Sequence, residues 1–342
     1  MTIEELRSKG VFFHPTVESF SYTSLCVASG LMELGIPVFS SLNFSNPQVS
    51  DFKFTIGGDP NEAGILVIDL QEKSFMSDFP YHVNSPHPNT HLLAICDTVD
   101  HLNYSGPIPV HRAHSSRLLP RRYRHFPVAF GISDKIRDYA QGFCYPEKRE
   151  DVAIRNFRPS ANQFVRLSLD LGLVPLLERT IPVDRRLSSG SERWHATHLD
   201  RLGKSLMCLA YGGNFMDDYS SRMERDLEPT DPRYEFLTQN KIFQAPAIIR
   251  WDSWRFWESM AMGCLTIQLD FEKYGMELPV MPENWKHYVG IAFDSLEADV
   301  ERLMDERDRI PEIARAGQEW ALKYYTSRPV AERFLRNAGV EF

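Results

Sequence analysis

The stretch Arg250-Trp-Asp-Ser-Trp-Arg-Phe-Trp-Glu-Ser-Met-Ala-Met-Gly-Cys-Leu-Thr-Ile267 joins a helix start, a cation, a carboxylate and a strand in one short unit. Asp252 or Ser253 can accept a hydrogen bond from the first amides of a helix, and the spacing predicts that helix over 254–262, with Gly263 as its stop. The apolar run 264–269 then reads as a buried strand. A helix N-terminus carries partial positive charge, and Arg255 in the first turn adds a forked donor suited to phosphate oxygens. Glu258, one turn on, is placed to accept from sugar hydroxyls. Trp254, Trp257 and Met260 also fall at helical spacing, so a core helix whose Arg and Glu pair on its surface is the competing reading.

Working outward, a chain of 342 residues has room for two domains, each with its own core. Apolar residues at 43% and charged residues at 25% are ordinary for a soluble globular protein. No run approaches the roughly 20 apolar residues of a membrane span, and the first residues lack the form of a signal peptide, so the expected compartment is the cytoplasm. Five cysteines, Cys26, Cys96, Cys144, Cys208 and Cys264, stand far apart without a Cys-x-x-Cys pair, which indicates neither a disulfide framework nor a zinc site. A formal charge of −8 argues against broad nucleic-acid binding. The exception is local: Arg112, Arg117, Arg121, Arg122 and Arg124 cluster in 111–125, where a solvated basic loop is favoured over a grip on an acidic acceptor.

Through the first 140 residues, strand-length apolar runs at 10–14, 35–39, 64–70, 91–96 and 127–133 alternate with helical patterns, the signature of a parallel sheet. Turn residues and then charges at 142–151 mark a boundary, dividing the chain into domains 1–148 and 149–342, with the last helix packing back on the first domain. A second series follows: strand 152–156, helix 161–171 stopped by Gly172, a weak strand at 173–178, helix 197–204, strand 205–210, strand 289–293, and helices 296–306 and 310–325. The polar segment 224–240 reads as an excursion. Two doubly wound Rossmann-like α/β domains facing a central cleft are expected, and such sheets bind ligands outside the carboxyl ends of their strands. The turn Tyr211-Gly212-Gly213, the helix start at Asp252/Ser253 and the loop after Leu269 should therefore converge.

With these residues placed, the chain resembles GT-B glycosyltransferases, in particular bacterial family 1-like and exostosin-like members. The segment 253–267 matches their Ser-x-Arg-x-x-Glu-Ala-x-x-x-Gly-Cys-x-Pro-Ile pattern; 204–213, 320–327 and 331–335 add weaker matches, and the first half agrees in its order of elements. The resemblance implies a nucleotide-sugar donor site in the second domain. Arg255 and Arg250 would contact the diphosphate and Glu258 a ribose or sugar hydroxyl, with Tyr211, Gly212, Gly213, Asp252, Ser253 and Trp254 lining the site. It implies no cofactor beyond the donor. No Asp-x-Asp stands where a metal-dependent transferase would use one, and Asp217-Asp218 is a weak substitute, so metal independence is expected.

Many retaining relatives carry a second Glu eight positions after the first, and that position here is Thr266. The departure favours an inverting enzyme, which needs a general base in the first domain. His14 and Glu18, after the first strand, are the leading candidates; Asp97, Asp100 and His101 compete. His195, His198 and Asp200 lack a further clear metal ligand and are read as structural. The expected acceptor is a hydroxyl of a glycan, lipid carrier or small molecule, with a nucleic-acid base less favoured. A nucleotide-sugar epimerase or hydrolase, and an inactive binding protein on the same fold, remain as alternatives.

Overall fold

The computed structural model describes residues 1–15, 21–45, 50–70, 92–97, 108–118, 124–158, 164–187, 196–216 and 247–342, and the chain divides into two compact units. The first unit takes Met1–Ser115, Pro120–Asp138 and Leu322–Phe342; the second takes Ser116–Leu119 and Tyr139–Ala321. Helix α1 (Ile3–Lys9) opens the first behind a capping box, in which the Glu5 amide donates to the Thr2 hydroxyl at 3.3 Å and the Thr2 amide to the Glu5 carboxylate at 2.8 Å. Strands β1 (Val11–Pro15), β2 (Val38–Ser40), β3 (Thr55–Ile56), β4 (Ile65–Leu70), β5 (Leu92–Asp97), β6 (Val110–Arg112) and β7 (His125–Pro127) form a parallel sheet. Among the described residues its order is β3-β2-β1-β4-β5-β6-β7. The winding reverses between β1 and β4, the switch point of a doubly wound sheet. Helix α2 (Tyr22–Glu33) is buried continuously from Tyr22 to Leu31, and α3 (Asp134–Gly142) begins in the first unit and ends in the second.

The second unit repeats the logic with a different order. Its strands β8 (Glu150–Ile154), β9 (Val183–Asp184), β10 (Ser205–Leu209), β13 (Leu265–Leu269) and β14 (Val289–Ile291) pair in parallel as β14-β13-β10-β8-β9. Its switch point lies between β8 and β10. Between the strands run α4 (Phe164–Leu177), α5 (Ala196–Lys204) and α6 (Trp254–Ala261), and after β14 come α7 (Leu296–Asp305) and α8 (Ile310–Tyr325), the last over the range its periodicity predicts. A small antiparallel pair, β11 (Asn214–Met216) with β12 (Ala247–Ile249), precedes the α6 segment. Helix α6 stops at Gly263, whose φ of +59° suits glycine.

From Leu322 the chain returns to the first unit, where α9 (Ser327–Ala338) lies against α2. The two helices approach so closely that a Cβ on Gly30 would stand 2.0 Å from the Ser327 carbonyl oxygen. Among the described residues, no helix is long and apolar enough to cross a membrane.

Several expectations change on physical grounds. The segment 127–133 is not a strand: β7 ends at Pro127, and Gly131 at φ +74° turns the chain where a Cβ would meet Cys26 Sγ at 2.7 Å and the Tyr325 carbonyl at 2.9 Å. Nor is 173–178 a strand, because α4 continues through Gly172 and Pro175 to Leu177. Gly172 serves close packing, since its added Cβ would be 2.9 Å from Leu296 Cδ1. The basic stretch is not a solvated loop throughout. Its start forms β6, with Arg112 buried and His111 held between the rings of Phe126 and Phe334 at 5.9 and 4.4 Å; Arg121 and Arg122 lie outside the described residues. The division of the chain falls at Asp138/Tyr139, before the expected 148/149. Tyr139 donates its hydroxyl to Asp200 at 2.7 Å, and Arg149 donates to the carbonyls of Leu202, Ser205 and Met262 at 3.2, 3.3 and 3.2 Å, so both belong to the second unit. A guanidinium on these helix-end carbonyls caps α5 and α6 together.

Gly30→Ala is expected to cost roughly 1–3 kcal/mol, because a methyl has no room between α2 and the backbone of α9. Urea unfolding measures it, and an unchanged midpoint would show that the crossing adjusts freely.

Candidate functional site

A cluster of polar groups in the second unit gathers at its switch point. Arg155, Asn156 and Phe157 leave the end of β8, and Ala210, Tyr211, Gly212 and Gly213 leave the end of β10. The segment 250–253 enters α6 beside them. Ser253 donates its hydroxyl to the Ala210 carbonyl at 3.0 Å, and the buried Gln268 of β13 donates to the same carbonyl at 3.3 Å and to that of Trp251 at 3.5 Å. Buried carbonyls must find donors, so these side chains fix how α6 enters. Ser253 has the extended backbone of an N-cap, yet its side chain makes no capping hydrogen bond and donates instead to the Ala210 carbonyl. The Asp252 carboxylate, also buried, accepts from the Trp257 indole at 2.7 Å.

Several expected donor-site residues meet here, in different roles. Arg255 is half-buried in the first turn of α6 and its Nε donates to the Asn156 carbonyl. Arg250 is exposed, with a left-handed φ of +54°, and Trp254 is half-buried. Gly213 holds φ +111°, and a Cβ there would lie 2.7 Å from the Ile249 carbonyl, so glycine is required. The Tyr211 side chain is interior: it is fully buried, packs edge-on against Phe157 at 5.1 Å, and has its phenol pushed well up by burial.

Glu258 departs most from the expectation. Only 4% of its side chain is exposed, and Oε2 accepts from His198 Nε2 at 3.3 Å. It neither faces solvent nor pairs with Arg255. Thr266 is likewise interior, its hydroxyl bonded to that of Ser259 at 2.7 Å. Position 266 therefore lies inside the layer between α6 and β13.

Arg166 on α4 escaped the sequence reading. Its Nε donates to the Tyr211 carbonyl at 3.3 Å, its guanidinium stands 5.6 Å from the Phe157 ring, and its Nη2 would be 3.2 Å from a Cβ on Gly212. A cation thus borders the glycine turn from a helix far away in sequence. Arg155 is committed elsewhere, in a bidentate pair with Asp170 at 2.5 and 2.6 Å.

In the first unit, His14 sits near the carboxyl end of β1 with Nδ1 at 3.1 Å from the Ser41 hydroxyl. Beside it, in register with Pro15, is Asp69 of β4, fully buried and accepting from Ser21 at 3.2 Å. Asp69 was also missed, although a carboxylate interrupting the apolar run 65–70 was a usable signal. Glu18, Asp100, His101, His195, Asp217 and Asp218 lie outside the described residues. Asp97 is the last residue of β5. Among the described residues, no three His, Cys, Asp or Glu side chains gather as a metal-holding group.

No family model matches the chain, and no curated protein matches it in sequence. Solved structures do match in shape. An alpha-glucosyltransferase in complex with UDP superposes with a TM-score of 0.55 at 10% identity, over 96% of this chain and 98% of that one. The fold is GT-B. A glycosyltransferase from Rickettsia africae ESF-5 gives a TM-score of 0.54 at 10% identity over 96% and 97% of the two chains. Anabaena Alr3699/HepE in complex with UDP-glucose gives 0.52 at 8% identity over 96% and 99%. The GT-B likeness spans nearly the whole chain, in agreement with two Rossmann-like units.

Trp257→Phe, which removes the indole donor from the buried Asp252 carboxylate, is expected to destabilise the protein by about 1–3 kcal/mol. Urea unfolding checks this, and full stability would mean that the carboxylate is satisfied without the indole.

Proposed function

We propose that the protein is a glycosyltransferase that moves a sugar from a nucleoside-diphosphate donor to a hydroxyl acceptor, without a metal ion and with inversion. The observation that carries the reading is the position of Arg255. It opens α6 at the switch point, anchored on the Asn156 carbonyl, while Arg166 borders the glycine turn 212–213 that leaves the neighbouring strand. Backbone without side chains lets a phosphate come close, while guanidinium forks and a helix N-terminus supply charge.

In such a transfer the acceptor oxygen bonds to the anomeric carbon while the bond from that carbon to the diphosphate breaks, and negative charge grows on the departing diphosphate. Arg255, Arg166 and Arg250 would stabilise that charge as it forms, which lowers the barrier rather than merely binding the donor. This supply of fixed cations supports metal independence. Inversion rests on His14 as the base that takes the acceptor proton, with the Ser41 hydroxyl on Nδ1 setting the ring orientation.

The test is thermal denaturation of the purified protein against UDP, GDP, ADP, CMP and dTDP and their sugar conjugates, with and without EDTA. The GT-B structures solved with UDP or UDP-glucose put the uridine nucleotides first in the panel. A ligand at 100 times its dissociation constant stabilises the folded state by about 2.7 kcal/mol. A shift with one nucleotide family that survives EDTA is expected; no shift with any would leave the binding-protein alternative. Arg255→Ala is expected to weaken that nucleotide roughly 10- to 100-fold, the worth of charged hydrogen bonds. An equal loss of folding stability and binding would make Arg255 structural.

A further inference from the structure

The His198–Glu258 pair has a place that the reaction as proposed leaves unexplained. Both side chains are almost wholly buried, at 2% and 4% exposure, on two different helices, α5 and α6. A carboxylate accepts only, so the His198 Nε2–H donates to Glu258 at 3.3 Å, and the side-chain amide nitrogen of Asn156 stands against the ring, 3.4 Å from Nδ1 and 3.5 Å from Nε2. The carbonyl of the same Asn156 receives Arg255 Nε. One continuous chain therefore runs from Glu258 through His198 and Asn156 to the guanidinium at the helix start.

We propose that Glu258 and His198 form a positioning pair for Arg255, and that Glu258 acts on a bound donor through that guanidinium instead of touching ribose or sugar hydroxyls. This rests on the donor-site reading above. The geometry has a physical logic. Arg255 is anchored by a backbone carbonyl, and a held Asn156 side chain restrains the residue that carries it. A charge kept almost out of water must stay paired, which ties α6 to α5 through one hydrogen bond. An arginine aimed in this way is organised before any ligand arrives.

The test compares two probes: UDP, which carries ribose hydroxyls, and inorganic pyrophosphate, which carries none. Both are titrated calorimetrically into the wild type and into Glu258→Ala, His198→Ala, the double variant and Glu258→Gln. If the pair acts through Arg255, each alanine variant is expected to lose about tenfold or more in affinity for both probes. The double variant should be no worse than either single one, as for residues acting as a unit. Glu258→Gln, which keeps an acceptor for the His198 N–H, should bind both probes within about twofold of wild type.

A loss confined to UDP, or losses that multiply in the double variant, would overturn the proposal. Should the alanine variants fail to fold, Glu258→Gln still decides, because selective loss of UDP in it means direct contact with the nucleoside. Variants that bind both probes as well as the wild type would overturn the pair's role alone. A wild type that binds neither probe, nor any other nucleoside diphosphate, would overturn the donor-site reading and the pair with it.

Discussion

The carbonyl oxygen of Ala210 is the point on which the second unit's arrangement turns. It ends β10 at the switch point and accepts from both Ser253 and Gln268. The Ala210 amide meanwhile donates to Ile267 at 2.8 Å, continuing the ladder between β10 and β13. One peptide is thereby tied to the start of α6 and to the strand that follows α6. Loosening it would free the helix entry, and with it Arg255, Trp257 and the Asp252 carboxylate. Buried backbone groups tolerate no vacancy, so a serine and a glutamine from separate elements are drawn to the same oxygen.

Both units use one rule with two strand orders. In each, a central first strand has neighbours wound outward on both sides, and loops at the carboxyl ends of the strands flanking the reversal are not blocked by crossing helices. That places His14 and Asp69 in the first unit, and Arg255, the glycine turn and Arg166 in the second. Chemistry-bearing residues collect where topology leaves the strand ends open.

Most of the strands and helices could be read from the chain because their cause is local. The apolar runs of β1, β4 and β13 and the helical period of α8 are properties of neighbouring residues. What could not be read depends on partners far away. Gly172 and Pro175 look like a stop, and only the packing of α4 against Leu296 shows why the helix passes through them. Arg112 looks like a surface charge until β6 takes its place in the sheet. The position of Arg255 was legible from the helix signals of 250–263, whereas the burial of Glu258 depends on His198, contributed by another helix 60 residues away, and Arg166 meets Tyr211 across 45 residues. Spacing along a helix says which residues share a face; it does not say what covers that face.

The crossing of α2 and α9 also bears on the order of events during synthesis. Helix α2 has apolar or small residues all round and is covered in part by a helix made after the whole of the second unit. Domains emerging from a ribosome usually close in chain order. Here the first sheet is made early, but the backbone that seats against Gly30 arrives with Ser327, so the second unit completes its own contacts before the first can complete all of its own. Until then the face of α2 that α9 covers stays open on the nascent chain, an apolar surface exposed during synthesis.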